Sequence, residues 1–313
     1  MDASRRNLQL DVNAPASGTP LPPGTVFQSD ARRYRLIAPL GKGGMSSVYR
    51  AEVVGIGSHV AVKVLRASDE MDAREQHLRF RREAEILTML RHRNIVRMLD
   101  FAEAPDGHLF LVMELVGGSS LLDILLVEGS LAEDRIVSIG AQIADALAEA
   151  HRHGIVHRDL KPANVHVVRD DRSRERPVVL DFGTGKQLDQ DTHHQLTGLG
   201  KYVGSMAYSS PEQLLTAPLD GRSDIYSLGV CLYEMATGLV PFASSSPMDL
   251  IDMHLHKPAP RFGAVFPGCG VSERIERVVL KCLEKSPDDR WQSARELSEA
   301  LQPSWPEAPT IPG

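Results

Sequence analysis

The chain has no run of about 18 apolar residues, the length a membrane-crossing helix needs, so no membrane span is expected. Cysteine is scarce: Cys231, Cys269 and Cys282 are the three thiols in 313 residues. No two form a CxxC pair, and the odd count argues against a disulfide framework. A cytoplasmic, reducing location fits, with each thiol a small buried hydrophobe rather than a ligand. An excess of positive charge is also missing. The formal net charge of -6 favours solubility and offers nothing to nucleic acid. Met1 to Pro23 holds two arginines but no apolar core behind them, which excludes a secretory signal. Internal repeats are absent.

What is present is ordinary globular material, 42% hydrophobic and 24% charged. The length suffices for one large domain or for two lobes around a cleft. Residues 1–33 are rich in Ala, Pro, Ser and Gly without period, and are expected to be a disordered leader. From Tyr34 the pattern changes. Tyr34 to Ile37 and Val48 to Ala51 read as strands around a glycine-rich turn, and His59 to Leu65 as a third strand after the Gly55-Ile56-Gly57 turn. A charged helix is predicted from Asp72 to Leu90, with Phe80, Ile86, Leu87 and Leu90 on its apolar side. Ile95 to Phe101 and His108 to Met113 read as two more strands. Beyond them helices dominate: Glu133 to His153, Asp224 to Thr237, Val271 to Leu283 and Ser293 to Leu301. The fold class is α+β, a small antiparallel sheet with one helix followed by a larger helical part. The last residues, 302–313, are a Pro-rich tail.

Several short motifs bear chemistry. Gly41-Lys42-Gly43-Gly44-Met45-Ser46-Ser47-Val48 lies between two strands, and glycines let backbone N–H groups approach a phosphate. Alone, such a loop can equally be a hairpin tip. Val60-Ala61-Val62-Lys63 ends a strand on a lysine, which can as well snorkel from a sheet edge. Glu83 and Glu85 on the next helix point to different faces, so only one can reach inward. His157-Arg158-Asp159-Leu160-Lys161-Pro162-Ala163-Asn164, followed by Asp181-Phe182-Gly183, carries a carboxylate able to hold a hydroxyl and two hard oxygen ligands of the kind magnesium prefers. A lone Asp is commonly a turn or cap residue; the ordered set is what carries weight.

In order and spacing these motifs match the protein-kinase template. The chain resembles the eukaryotic-like (Hanks-type) serine/threonine protein kinases, in wording the bacterial branch, from about Tyr34 to Leu301. The resemblance implies a bilobal fold, with a small lobe over 34–115 and a large lobe over 116–301, linked at Glu114-Leu115-Val116-Gly117. It implies ATP and Mg2+ as cofactors and Ser/Thr hydroxyls of proteins as acceptors. Asp159 would be the base, Lys161 would neutralise the γ-phosphate, and Asn164 and Asp181 would hold the metal. Lys63 would hold the α- and β-phosphates. The downstream His92-Arg93-Asn94-Ile95-Val96 aligns Glu83, not Glu85, as its partner. The glycine loop from Gly41 to Ser47 would cover the phosphates, although Ser46 replaces the third glycine and Gly44 is extra. Leu40 and Val48 would sandwich adenine, with Ala61 beside them. Met113 would be the gatekeeper, and Glu114 and Val116 would offer backbone groups to the adenine edge.

The same resemblance places an activation segment from Asp181 to Glu212. Ser210-Pro211-Glu212 stands where the family usually has Ala-Pro-Glu, with Glu212 bridged to Arg290. Thr192 and Thr197 are the phosphorylation candidates, ahead of Thr184 and Ser205, and Arg158 would meet the phosphate. Ser205 stands where most members have a threonine that contacts the base and the lysine. Asp224 would cap the catalytic loop from below. The gap between Asn164 and Asp181 is long and holds the charged run Asp170 to Arg176, read as a solvated hairpin tip. The histidines His153, His193, His194, His254 and His256 form no recognisable ligand set. Because the chain stops at Gly313, a kinase without a sensor domain of its own is expected. Expected partners are ATP and proteins, with no nucleic acid and no membrane span; back-to-back dimers of the small lobe in bacterial relatives make a homodimer a further candidate. Two other function classes compete. A scaffold pseudokinase would have lost the lysine, base or metal ligand, and none is lost. A small-molecule kinase usually lacks the Ser-Pro-Glu platform and the helix around Asp224.

Overall fold

The computed structural model describes residues 21–42, 46–65, 73–104, 107–182 and 205–302. The chain divides into two compact units, one of residues up to Leu78 with Leu99–Met113, the other of Arg79–Met98 with Glu114 onward. The chain thus passes between the units at Leu78/Arg79, Met98/Leu99 and Met113/Glu114.

The first unit is built on a sheet. Among the described residues its strands are β1 (Val26–Gln28), β2 (Arg33–Lys42), β3 (Ser46–Val53), β4 (His59–Leu65), β5 (Met98–Glu103) and β6 (Leu109–Glu114), ordered β1-β2-β3-β4-β6-β5. The β2–β3 hairpin is antiparallel, with Gly41 opposite Val48 and Lys42 opposite Ser47. Two register shifts in β2 flank Ala38 and Pro39, the place where a residue lacking an N–H is tolerated in a ladder. One face packs Tyr34, Leu36, Tyr49, Val53, Val62 and Phe110 into a core. Asp100 lies at its edge and accepts from the Tyr34 hydroxyl and from Ser29, both at 2.6 Å. Two satisfied donors make that carboxylate a staple between β2 and β5.

The expected leader to residue 33 is corrected here. Val26–Gln28 pairs with β2, Val26 opposite Arg35, and Phe27 is buried against Phe110 at 5.0 Å between ring centroids. Burial of one aromatic side chain outweighs the weak local propensity of three residues in a Pro- and Gly-rich stretch. A second correction concerns Ile95 to Arg97, expected at the start of a strand. In the second unit Val96 donates to the Val179 carbonyl at 3.0 Å and Val179 donates to Asn94 at 2.8 Å, so this segment forms a lone parallel bridge instead.

Helix α1 (Ala73–Met89) starts in the first unit and ends in the second. The rest of the second unit is mostly helical: α2 (Leu121–Glu128), α3 (Glu133–Arg152), α4 (Pro211–Leu214), α5 (Gly221–Thr237), α6 (Pro247–His256), α7 (Phe262–Val265), α8 (Glu273–Cys282) and α9 (Ala294–Leu301). A small sheet of β7 (Ser119–Ser120), β8 (Val165–Arg169) and β9 (Glu175–Val179) lies beside them. Asp170 accepts from the Arg172 and Arg174 N–H groups, each at 2.9 Å, and closes the β8–β9 hairpin as the predicted solvated tip. Helix α5 is buried along most of its length, which is why its apolar residues show little amphipathic period. It starts three residues earlier than predicted because Asp220 caps it through the Arg222 N–H at 2.8 Å. Helix α3 approaches it closely at Gly140, where a Cβ would lie 2.6 Å from a Leu232 methyl. Among the described residues no helix is long and apolar enough to cross a membrane.

Gly118 is more demanding. Its φ is +78°, and a Cβ there would lie 2.1 Å from the Val167 carbonyl oxygen. Gly118→Ala combines left-handed strain with a backbone collision, so a loss of roughly 2–4 kcal/mol is expected. Urea unfolding at constant m-value is the check; an unchanged midpoint would mean that β7 and β8 are not held this close.

Candidate active site

The loop from His157 to Asn164 is fixed from three sides within the second unit. From below, Asp224 of α5, fully buried, accepts from the His157 N–H at 2.8 Å and the Arg158 N–H at 2.9 Å. His151 of α3 adds a third bond through Nε2 at 2.8 Å. Burial pushes the Asp224 carboxyl up, but these bonds and the nearby imidazoles outweigh it and hold it below the usual carboxylate range. From behind, His157 is itself fully buried, its ring edge-on to Phe182 at 4.6 Å. Its Nδ1 accepts from the Asp159 N–H at 3.3 Å, so the proton sits on Nε2, which faces the Leu180 carbonyl at 2.9 Å. From the side, Leu180 donates to the Asn164 carbonyl at 2.9 Å, which brings Asp181 beside Asn164.

These ties assemble four of the residues named from the sequence. Lys161 Nζ lies 2.7 and 2.9 Å from the two Asp159 oxygens and 3.0 Å from Ser205 Oγ. Asn164 Nδ2 donates to the Asp159 carbonyl at 2.8 Å and to its carboxylate at 3.2 Å. With the amide Nδ2 committed, the Asn164 side-chain oxygen Oδ1 is the atom able to ligate a cation. That oxygen and the carboxylate of the half-buried Asp181 are both hard donors, of the kind that suits magnesium rather than a soft metal. Arg158 and Asp181 have φ of +68° and +56°. Left-handed backbone at two non-glycine residues costs on the order of 1–3 kcal/mol each and is typical of functional loops. Among the described residues the Arg158 guanidinium has no hydrogen-bond partner, while the Arg158 backbone is held at both ends.

In the second unit Glu114 uses its N–H on the Arg97 carbonyl at 3.0 Å and its carboxylate on the Arg97 N–H at 3.0 Å. The backbone group it can offer a ligand is therefore its carbonyl. Met113 and Ala61 are buried, Val48 half-buried and Leu40 exposed. Lys63 is buried, as is Glu83, whereas Glu85 is exposed. That is the orientation required if Glu83 is the inward carboxylate. Gly43, Gly44, Met45, Gly183, Thr184, Thr192, His193, His194 and Thr197 lie outside the described residues. Among the described residues no three His, Cys, Asp or Glu side chains form a metal-binding group.

The base of the segment before α5 is an ion pair. Arg290, fully buried, reaches both Glu212 oxygens at 2.7 and 2.9 Å, as expected, and Ser223 donates to the same carboxylate at 2.7 Å. Burial pushes the Glu212 carboxyl up; the bonds from Arg290 and Ser223 prevail and hold it below the usual range. Its share of stability is then full above roughly pH 4.3, where an unfolded glutamate titrates, and is lost as pH falls through the lower folded value. Urea midpoints should drop more steeply on acidification below that pH in the wild type than in Glu212→Gln. Parallel curves would show that the pair carries no such linkage.

Two contacts are not legible in the sequence: the His151 bond to Asp224, and the Gln213 side chain, whose Nε2 donates to the Arg158 carbonyl at 2.6 Å.

The family described as protein kinase domain matches residues 34–305. The chain belongs to the protein kinase family. Among similar proteins, the serine/threonine-protein kinase pkn3 of Myxococcus xanthus is 41% identical over 278 residues, 88% of this chain and 51% of that protein. The serine/threonine-protein kinase PknB of Mycolicibacterium smegmatis is 40% identical over 298 residues, 92% of this chain and 46% of that protein. The chain thus spans about half the length of these relatives. In structure, the PknI kinase domain of Mycobacterium tuberculosis superposes with a TM-score of 0.67 at 28% identity, covering 90% of this chain and 98% of that one. The chain is a bacterial Hanks-type kinase domain with the α+β kinase fold.

Proposed function

We propose that the chain is an ATP-dependent serine/threonine protein kinase. The observation that carries this reading is the cluster of Asp159, Lys161, Asn164, Asp181 and Ser205. The acceptor hydroxyl oxygen bonds to the γ-phosphorus while the bond to the bridging oxygen of ADP breaks. Asp159 orients that hydroxyl and takes its proton. Lys161, seated on Asp159 and bonded to Ser205, is assigned to balance γ-phosphate charge. Asn164 and Asp181 would hold Mg2+, which supplies positive charge to the phosphate oxygens. Lys63 is assigned to the α- and β-phosphates with Glu83 as its carboxylate. Leu40, Val48, Ala61, Met113, Glu114 and Val116 are assigned to adenine, and Gly41, Lys42, Gly43, Gly44, Met45, Ser46 and Ser47 to the phosphates.

The domain is further proposed to phosphorylate its own segment at Thr192 or Thr197, where the Arg158 guanidinium would be the phosphate's partner. ATP supply and three cysteines without a disulfide favour the cytoplasm. A homodimer is the remaining partner proposal. Incubation with labelled Mg-ATP and casein, followed by phosphoamino-acid separation, should release labelled phosphoserine and phosphothreonine. Label confined to phosphotyrosine, or label on small molecules only, would overturn the assignment.

A further inference from the structure

We infer that Gln213 is a positioning residue for the catalytic base, acting through the Arg158 backbone. This rests on the kinase reading above. Arg158 directly precedes Asp159 and sits at φ +68°, a conformation that a side-chain-bearing residue keeps only when its surroundings impose it. Two groups impose it. Asp224 takes the Arg158 N–H at 2.9 Å, and Gln213 gives its Nε2–H to the Arg158 carbonyl at 2.6 Å. The backbone of one residue, the N–H of one peptide unit and the carbonyl of the next, is thus held at both ends, by two residues from different helices. The carbonyl that Gln213 grips belongs to the peptide bond leading into Asp159, so its rotation would swing the carboxylate.

The Gln213 amide cannot easily turn away. Its Oε1 accepts from the Ser210 N–H at 3.0 Å, while its own N–H donates to Ser210 Oγ at 3.3 Å. This reciprocal capping box starts helix α4. The amide is therefore used at both ends: its oxygen serves the helix and its nitrogen serves the catalytic loop. The reverse orientation would set an N–H against an N–H and an oxygen against a carbonyl, so the assignment follows from the partners. Helix α4 also carries Glu212, which Arg290 anchors. The segment that supports the substrate platform and the loop that carries the base are consequently joined by one side chain, 55 residues away in sequence.

The two duties of the amide separate in Gln213→Glu. Glutamate is as good as glutamine in a capping box, since the oxygen does that work. It cannot donate to the Arg158 carbonyl, and it sets a second oxygen against it. If Gln213 only starts α4, this variant should match the wild type in turnover per folded molecule. If it positions the base, kcat per folded molecule should fall about tenfold or more with casein as acceptor, with KM for ATP within about twofold. Amide hydrogen exchange of the peptide spanning His157 to Lys161 should also accelerate in the variant, a change that a helix-starting role does not cause. A Gln213→Glu protein with wild-type kcat and exchange overturns the inference and leaves the kinase reading intact. A wild-type protein that transfers no phosphate overturns the kinase reading, and the positioning role with it.

Discussion

Arg290→Met is expected to lower stability by about 3–5 kcal/mol, enough to leave a marginal domain largely unfolded at 37 °C. Arg290 is fully buried and makes five bonds: two to Glu212, and one each to the carbonyls of Glu284, Lys285 and Arg222 at 2.8, 2.9 and 3.0 Å. Its guanidinium also lies over the Tyr226 ring at 4.9 Å. Methionine fills similar space but leaves Glu212 charged, largely shielded from water and without its guanidinium partner. Three carbonyls lose a donor at the same time. The cost is that of an uncompensated buried charge rather than of a lost attraction, so Glu212→Gln with Arg290→Met should lose much less than the two single changes added. Urea unfolding of the four proteins makes the cycle. Additive losses would mean that the pair is not the unit that anchors α4.

Asp159→Asn is expected to lower kcat by about a hundred- to ten-thousand-fold with little effect on stability or on KM for ATP. The side chain is isosteric, and Asp159 is partly exposed, so no large desolvation term changes. What is lost is the acceptor for the hydroxyl proton and the counter-charge of Lys161, which holds both carboxylate oxygens. The size of the loss separates a base from a mere structural cap. Removal of a cap would shift the unfolding midpoint and leave turnover per folded molecule unchanged.

The sequence discloses some parts of this site and conceals others, for identifiable reasons. Asp159, Lys161, Asn164 and Asp181 are legible because they match the kinase template, whose residue types recur at short spacing. The Glu212–Arg290 pair and the Asp224 cap are legible through the resemblance, since no local pattern links residues so far apart. The Gln213 bond to Arg158 is not legible. It joins a side chain to a carbonyl, and any residue presents the same carbonyl. His151 looks like one more residue on the α3 helix, and only the fold brings it to Asp224. Strand β1 is hidden because three residues carry no period, and its pairing depends on where Phe27 finds a pocket. The segment at Ile95 reads as a strand because a short apolar run is ambiguous; Val179 and Asn94 decide otherwise.

Intact-mass spectrometry of the purified chain before and after Mg-ATP, with Asp159→Asn alongside, tests phosphoryl transfer most directly. Mass steps of one phosphate in the wild type alone, localised by fragmentation to serine or threonine, are the expected result. Bound nucleotide without any mass step, and without transfer to casein, would contradict the assignment of Asp159 and its neighbours to catalysis.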